Sequence, residues 1–207
     1  MIKTRKLKYT SSGAVNPLFC GNKYTNLLNI SAFLEVPGFA CLYSTAFKDS
    51  LAKSSLDKIK EKLLLLKSNG GYQLNKIQGE IFQEIDKIEI KKEIIDELVY
   101  TATQLSNNWQ KKLIIRSSSP FEDSANVSGA GIYESIAGIE SKTQLFEATK
   151  KVWLSFFSLS ALAHRLRIKE YELNKLPAVI IQEYKESKIS GVAFSQDPVS
   201  LIKGLLV

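Results

Sequence analysis

The chain has 207 residues, of which 44% are hydrophobic and 24% charged, and these proportions are ordinary for a globular domain. Its length allows one sizeable core or two small lobes that share a cleft. No apolar run approaches the roughly 20 residues that a membrane span needs. The basic first ten residues are not followed by the apolar segment of a secretory signal. We therefore expect a cytoplasmic protein without a membrane segment.

The formal net charge of +7 raises the question of nucleic-acid, membrane or acidic-substrate binding. The lysines, however, are scattered over segments such as 53–67 and 87–92, where they alternate with Glu and Asp as on a solvated helix face. Basic and aromatic residues are not interleaved as on a single-strand binding platform. Nucleic-acid binding is therefore not the expectation.

Cys20 and Cys41 are far apart in the sequence and have no metal-ligand spacing. The chain contains one histidine, so the composition argues against a zinc site. We expect both cysteines to be reduced, partly buried thiols, and we identify neither a metal site nor a catalytic residue in this chain.

The first hundred residues read as a helix, a strand and a helical segment. Apolar residues at helical spacing over 21–34 predict an amphipathic helix that opens just after Gly21. A Pro-Gly pair within 36–43 predicts a turn into a buried strand. Ser44 or Thr45 would then cap a helix that runs to about residue 52.

From about 54 to 108 the apolar spacing is helical, with a break at Asn69–Gly71. We expect this stretch to be a helical insert within a lobe and not a separate domain. The second part of the chain, about 111–207, changes character. It begins with a β-branched strand at 113–117 and continues into a polar loop, 117–131, of a length that is usually functional or mobile.

Strands and helices alternate through the rest of the chain. A strand-like pattern at 132–139 precedes two predicted helices, and three further strand-like runs complete the chain; these segments are 141–158, 159–172, 178–184, 189–195 and 201–207. Several strands flanked by helices predict an α+β or α/β fold. Because the apolar strand pattern runs to the last residue, we interpret the chain as a domain whose remainder lies elsewhere.

Two cations are candidates for phosphate contact. Lys23 follows Gly21 at the start of a helix, where free N–H groups and the helix dipole favour anions, although a surface lysine is the simpler interpretation. Arg116 ends a strand and leads into three serines, whose hydroxyls and turn N–H groups can form an anion concavity with its guanidinium. The alternative is that Arg116 pairs with Glu122 or Asp123 to hold the loop.

Other candidates are weaker when they are taken singly. The small residues of 128–131 allow close backbone approach to a ligand, although a plain turn explains them too. Gln182 and Glu183 end a strand whose edge can face a purine, with Ile180 and Ile181 as apolar walls, or they simply end a core strand. His164 lies in a helical pattern and is expected to be structural or at the surface.

Together these segments resemble the N-terminal ATP-binding region of phosphoenolpyruvate synthase and pyruvate phosphate dikinase. The matching motifs keep their order and spacing across nearly the whole chain, apart from the helical segment around 54–108. They are GNKYTNLLNIS with VPGF, IIRSSSPFEDSANVSGAGIYES, VWLSFFSLSALAHRLRI, AVIIQEY and SGVAFSQDPV.

The resemblance implies an α+β, ATP-grasp-like nucleotide-binding domain with ATP between two lobes, truncated at its C-terminus. It implies that ATP phosphates contact Lys23 and Arg116. A loop over 128–135 would close on the terminal phosphates, and the end of the 178–184 strand would line the adenine end. The implied residues are Ser128, Gly129, Gly131 and Glu134 in the loop, and Gln182, Glu183 and Tyr184 at the adenine end, with Asp197-Pro198 shaping a turn.

In the family, ATP is split to AMP and phosphate, and a phosphoryl group passes to a histidine on a swivelling domain and then to an acceptor. The metal-binding carboxylates for Mg²⁺, a second phosphate-binding arginine and the phosphocarrier histidine fall outside this sequence, and His164 is not in the carrier motif. We therefore expect a missing C-terminal part or a second subunit to supply them, and little or no turnover by this chain alone. The alternatives are a non-catalytic ATP-binding or regulatory remnant and a basic nucleic-acid-binding domain.

Overall fold

The computed structural model describes residues 8–13, 16–69, 71–120, 123–124, 127–128, 131–173, 176–191, 194–196 and 203–206. The helices in these ranges are α1 (Pro17–Ser31), α2 (Ser44–Asp49), α3 (Lys53–Asn69), α4 (Leu74–Asp86), α5 (Lys92–Leu105), α6 (Lys142–Ser155) and α7 (Leu159–Arg167). The strands are β1 (Thr10–Ser11), β2 (Phe39–Leu42), β3 (Leu113–Ser118), β4 (Asp123–Ser124), β5 (Val127–Ser128), β6 (Ser135–Ile139), β7 (Ala178–Glu183), β8 (Phe194–Gln196) and β9 (Lys203–Leu206).

Five strands form one sheet in the order β1–β2–β7–β3–β6, and every neighbouring pair is antiparallel. The central strand β7 pairs with β3 from Glu183 opposite Leu113 to Ala178 opposite Ser118. The run of Val and Ile in β7 is typical of a strand that is covered on both faces. Helices with an antiparallel sheet confirm the α+β expectation.

The first face of the sheet carries the main hydrophobic core. Because side chains alternate along a strand, Leu113 and Ile115 of β3 lie on the same face as Val179 and Ile181 of β7. All four are fully buried among side chains of helices α2 to α7. This face therefore fixes the sheet on a helical layer.

The opposite face of the sheet is covered in part by α1. Ile180 of β7 and Cys41 of β2 lie opposite each other there and pack against Cys20 and Tyr24 of α1. Neither cysteine is in a disulfide, as expected, and both are more deeply buried than the sequence suggested. Burial raises the pKa of both thiols, which keeps them protonated. The candidate site lies on this face of the sheet, next to α1.

The helical segment α3–α5 shares the core of the sheet. Its apolar residues at three-and-four spacing, such as Ile59, Leu63, Ile81 and Leu98, are fully buried in the same cluster as the β3 and β7 side chains. Helix α3 ends at Asn69 and α4 begins at Leu74, which confirms the break predicted at Asn69–Gly71. Gly71 has a φ of 89°.

A buried carboxylate joins α3 to α4. Glu84 accepts hydrogen bonds from Ser55 Oγ at 2.7 Å and from the ammonium groups of Lys58 and Lys87 at 3.2 and 2.7 Å. These partners, led by Lys87, lower the pKa of Glu84 to about 2. Further lysines of this segment pair with acidic side chains, as Lys62 does with Glu80 at 3.0 Å. These pairs confirm that lysines of the helical segment alternate with acidic partners.

Some details differ from the sequence expectations. Tyr43, and neither Ser44 nor Thr45, is the N-cap of α2, and its side chain makes no capping hydrogen bond. The predicted polar loop contains a two-residue pairing of β4 with β5. His164 is buried in α7, which confirms a structural placement. Within the described ranges, no helix has the length and apolar character to cross a membrane.

Candidate functional site

The site is built where α1 meets the end of β3. Gly21 interrupts α1 with a φ of 75° and a ψ of 165°, a conformation that is essentially restricted to glycine. A Cβ at this position would lie 2.5 Å from the carbonyl carbon and Oγ of Ser118 and 2.6 Å from the amide nitrogen of Ser119. The absence of a side chain therefore lets α1 contact the backbone after β3 directly.

Three hydrogen bonds hold this contact. The N–H groups of Asn22 and Tyr24 donate to the Ser119 carbonyl at 3.3 Å and to Ser118 Oγ at 3.1 Å, and Asn22 Nδ2 donates to the Pro120 carbonyl at 3.1 Å. The sequence predicted that N–H groups at this helix start would bind an anion. In the structure, two of them donate to the protein instead. Ser118 and Ser119 are fully buried, so they join helix to strand where an anion concavity was expected.

The same contact brings Lys23 to β3. The Lys23 ammonium donates to Ser117 Oγ at 3.3 Å. Because Ser117 follows Arg116 in the strand, the two cations that the sequence singled out lie at the same end of β3. The helix start therefore contacts the strand end 94 residues away, and both cations lie at that end of the strand.

Arg116 is held by the neighbouring strand. Its Nη1 donates to Oε1 of Gln182 at 3.1 Å. The two side chains share one face, since Arg116 lies opposite Ile180 and Gln182 lies opposite Ile114. Among the residues whose side chains are described, no carboxylate lies within ion-pair distance of Arg116. The expected alternative partners, Glu122 and the side chain of Asp123, lie outside the described part of the chain.

The loop 128–135 is described in part. The Ser128 backbone pairs with Asp123 in β4, and Gly129 lies outside the described residues. Gly131 is exposed with a φ of 76°, a conformation that favours glycine. The Glu134 N–H donates to Ser155 Oγ at 3.2 Å and its carbonyl accepts from the Ser117 N–H at 3.3 Å. These backbone hydrogen bonds hold Glu134 next to the end of β3, with its side chain exposed.

The end of β7 lies at the other end of the same strand pair. The N–H groups of Glu183 and Tyr184 donate to the carbonyls of Gly38 and Lys112, each at 2.8 Å. The Glu183 carboxylate pairs with Lys185 and with Lys111, and these hydrogen bonds lower its pKa. A cavity of about 430 Å³ adjoins this end and is lined by Glu35, Val36, Pro37, Gly38, Lys111, Glu183 and Lys185.

The predicted residues thus form two groups. Lys23, Arg116 and Glu134 lie around the end of β3. Glu183 lies at its start, opposite Leu113, and Tyr184 follows beside Lys112. Leu113 and Ser117 are four positions apart in an extended strand, a distance of about 13 Å. Gln182 connects the groups through its hydrogen bond to Arg116. This arrangement suits an elongated ligand with its anionic end at Lys23 and Arg116.

Comparison with known proteins identifies the family. The profile of the pyruvate phosphate dikinase AMP/ATP-binding domain matches residues 18–207. The chain belongs to this family of AMP/ATP-binding domains. A probable phosphoenolpyruvate synthase of Archaeoglobus fulgidus is 28% identical over 184 residues, and a rifampicin phosphotransferase of Bacillus cereus is 23% identical over 184 residues.

These relatives are much longer than this chain. The alignments cover 87% of this chain but 24% and 21% of those two proteins. An uncharacterised phosphotransferase of Bacillus subtilis is 31% identical over 108 residues, which is 52% of this chain and 13% of that protein. The chain therefore corresponds to a minor part of the relatives that it matches.

Several site features were not evident from the sequence. The sequence pattern indicated a helix boundary at Gly21 and an anion concavity at the three serines, but it gave no sign that Gly21 contacts Ser118 and Ser119. A glycine two residues before the lysine was the available signal, but its partner strand is about 97 residues away. The expected wall residue Ile181 lies on the opposite face from Gln182, in the main core, because adjacent strand residues alternate.

Proposed function

We propose that this chain binds ATP on the α1 side of its sheet, with the phosphates at Lys23 and Arg116. The observation that carries the proposal is that both cations lie at the same end of β3, where Lys23 contacts Ser117, the residue next to Arg116. Arg116 has a neutral hydrogen-bond acceptor, so its charge is available to an anion. A guanidinium has five N–H donors in a planar fork that matches phosphate oxygens.

The remaining expected contacts follow from this placement. The loop 128–135, with Ser128, Gly129, Gly131 and Glu134, would close over the terminal phosphates. The end of β7, with Gln182, Glu183 and Tyr184, would line the adenine end. The cavity beside Glu183 supports this direction, because it adjoins the end of the β3–β7 pair that lies away from Ser117. Both lobes would then belong to an ATP-grasp-like domain that includes the helical segment.

The chemistry proposed for the whole protein is that of a phosphoenolpyruvate-synthase-like phosphotransferase. ATP would be split to AMP and phosphate, and a phosphoryl group would pass to a histidine outside this chain and then to an acceptor. His164 is not suited to receive a phosphoryl group, because it is buried in α7 and accepts a hydrogen bond from Arg167 Nη2 at 3.1 Å. We expect this chain alone to bind nucleotide with little or no turnover, and we keep the cytoplasm as its expected location.

Phosphoryl transfer depends on positioning and on neutralisation of phosphate charge by Mg²⁺ and cationic side chains. Across the described ranges, no three His, Cys, Asp or Glu side chains are grouped closely enough to hold a metal ion. We propose that the carboxylates for Mg²⁺ lie outside this chain. Within it, Lys23 and Arg116 would orient the phosphates and offset part of their charge.

Isothermal calorimetry with Mg²⁺ and ATP tests the proposal on the purified chain. Loss of a charged hydrogen bond costs about 1.5–3 kcal/mol, so Arg116→Ala is expected to weaken ATP binding by roughly 10–100-fold. Lys76→Ala, which removes one positive charge from an exposed position of α4, is the matched control and should bind as the unmodified chain does. Equal losses in both variants, or no ATP binding by the folded chain, would contradict the proposal.

A further inference from the structure

The side chain of Gln182 is hydrogen-bonded to Arg116. The two residues are diagonal neighbours on adjacent strands, a separation that long side chains bridge. The Nη1 to Oε1 distance is 3.1 Å, and Gln182 is only 6% exposed. The Gln182 side chain therefore turns toward the cation of the proposed phosphate end.

The chemistry of this pair distinguishes it from an ion pair. An amide oxygen accepts one of the five guanidinium N–H groups and leaves four for a ligand. Because the amide is neutral, it fixes the side chain without cancelling its charge. A carboxylate at the same place would hold Arg116 more strongly, but it would compete with phosphate for the cation.

Surrounding packing restricts where Gln182 can turn. Its Cα lies opposite Phe39 of β2 and Ile114 of β3, and its neighbour on the same face, Ile180, is fully buried. A side chain ordered between two strands loses little further entropy when the ligand binds. Gln182 thus belongs to a preorganised surface that exists before ligand arrives.

We propose that Gln182 is a positioning residue that holds Arg116 toward the phosphates of the nucleotide, and that its side chain does not read the base. This inference rests on the proposed ATP site, and it replaces the adenine-lining role that was proposed above for Gln182. It leaves the adenine end to Glu183, Tyr184 and the adjoining cavity.

Three ligands separate positioning from base recognition: Mg²⁺-ATP, Mg²⁺ with inorganic tripolyphosphate, and adenosine. Calorimetry on Gln182→Ala should show about tenfold weaker binding of ATP and tripolyphosphate and unchanged binding of adenosine. Gln182→Glu should weaken tripolyphosphate binding at least as much, because its charge offsets that of Arg116. Gln104→Ala, at an exposed position of α5, is the control and should change none of the three.

The double variant Arg116→Ala/Gln182→Ala tests whether Gln182 acts through Arg116. If it does, the double variant binds ATP no more weakly than Arg116→Ala alone. Weaker adenosine binding in Gln182→Ala, or a further loss of ATP affinity in the double variant, would show direct contact with the nucleotide and overturn the inference.

A ligand-free measurement keeps this outcome separate from failure of the ATP site. The unfolding constants of the four proteins in the cycle should show a coupling of about fivefold between Arg116 and Gln182. If the unmodified chain binds none of the three ligands, both the ATP site and the positioning role of Gln182 are contradicted. The coupling in the unfolding constants would still test the Arg116–Gln182 hydrogen bond. If Gln182→Ala binds adenosine more weakly and the unfolding constants show no coupling between Arg116 and Gln182, only the positioning role of Gln182 is overturned.

Discussion

Substitution of Gly21 tests the contact on which the whole site depends. Gly21→Ala would place a methyl group 2.5 Å from the Ser118 backbone in a φ of 75°, which the alanine side chain disfavours. The backbone conformation costs about 1–3 kcal/mol. Relief of the clash requires movement of backbone atoms and not only of a flexible side chain, at a further cost of about 1–3 kcal/mol. The expected destabilisation of about 2–6 kcal/mol is a large part of the stability of a typical domain.

Urea unfolding of Gly21→Ala and Gly79→Ala gives a matched comparison. Gly79 lies in the interior of α4, and an added Cβ there meets no atom within 4 Å. Gly79→Ala should therefore stabilise the chain by about 0.5–1 kcal/mol, because alanine favours the helix and restricts the unfolded chain. Any surviving folded Gly21→Ala should also bind ATP more weakly, since Lys23 shifts with the helix start. A Gly21→Ala variant as stable as the unmodified chain would contradict the close contact between Gly21 and the Ser118 backbone.

Two further predictions concern pH. Glu84 has its pKa lowered to about 2, so the stability that it contributes is present above its ordinary value of 4.5 and is lost as the pH falls from 4.5 toward 2; Glu84→Gln should cost about 1–2 kcal/mol at pH 6 and much less at pH 3 in chemical unfolding, and an equal cost at both pH values would contradict the assignment. His164 has its pKa lowered first by burial and then by the charges of Arg167 and Arg165, so the unfolded chain takes up its proton first and stability falls as the pH drops below about 6.5. His164→Gln should flatten the stability profile between pH 7 and 5.5, and an unchanged slope would show that other groups cause it.

The secondary structure was largely evident from local patterns. The β-branched runs at 113–117 and 178–184 became the central strands β3 and β7, and the helical spacing of 54–108 became three helices. Local chemistry was a poorer guide to helix ends. Ser44 has the side chain of a cap, yet α2 begins with Tyr43 at the N-cap, because the preceding strand fixes where the helix starts.

The site was evident only as a set of separate candidates. Lys23 and Arg116 were identifiable by residue type, but their placement at the same end of β3 depends on a helix–strand contact between residues almost a hundred positions apart. The Arg116–Gln182 bond depends on strand register, which sets the diagonal neighbour of each side chain. One residue of slip in that register would move Gln182 to the core face, so composition and spacing alone did not reveal the pair.

The most direct test of the central claim is an NMR titration of the uniformly ¹⁵N-labelled chain with Mg²⁺-ATP. Binding at the proposed site predicts chemical-shift changes at Lys23, Arg116 and Gln182, with the amides of α3 and α4 unchanged. The apolar cavity of about 570 Å³ between α1, α2 and α3, lined in part by Leu18 and Leu64, serves as an internal comparison. Shift changes confined to that cavity, or no changes in the folded chain, would contradict the placement of ATP on the α1 side of the sheet.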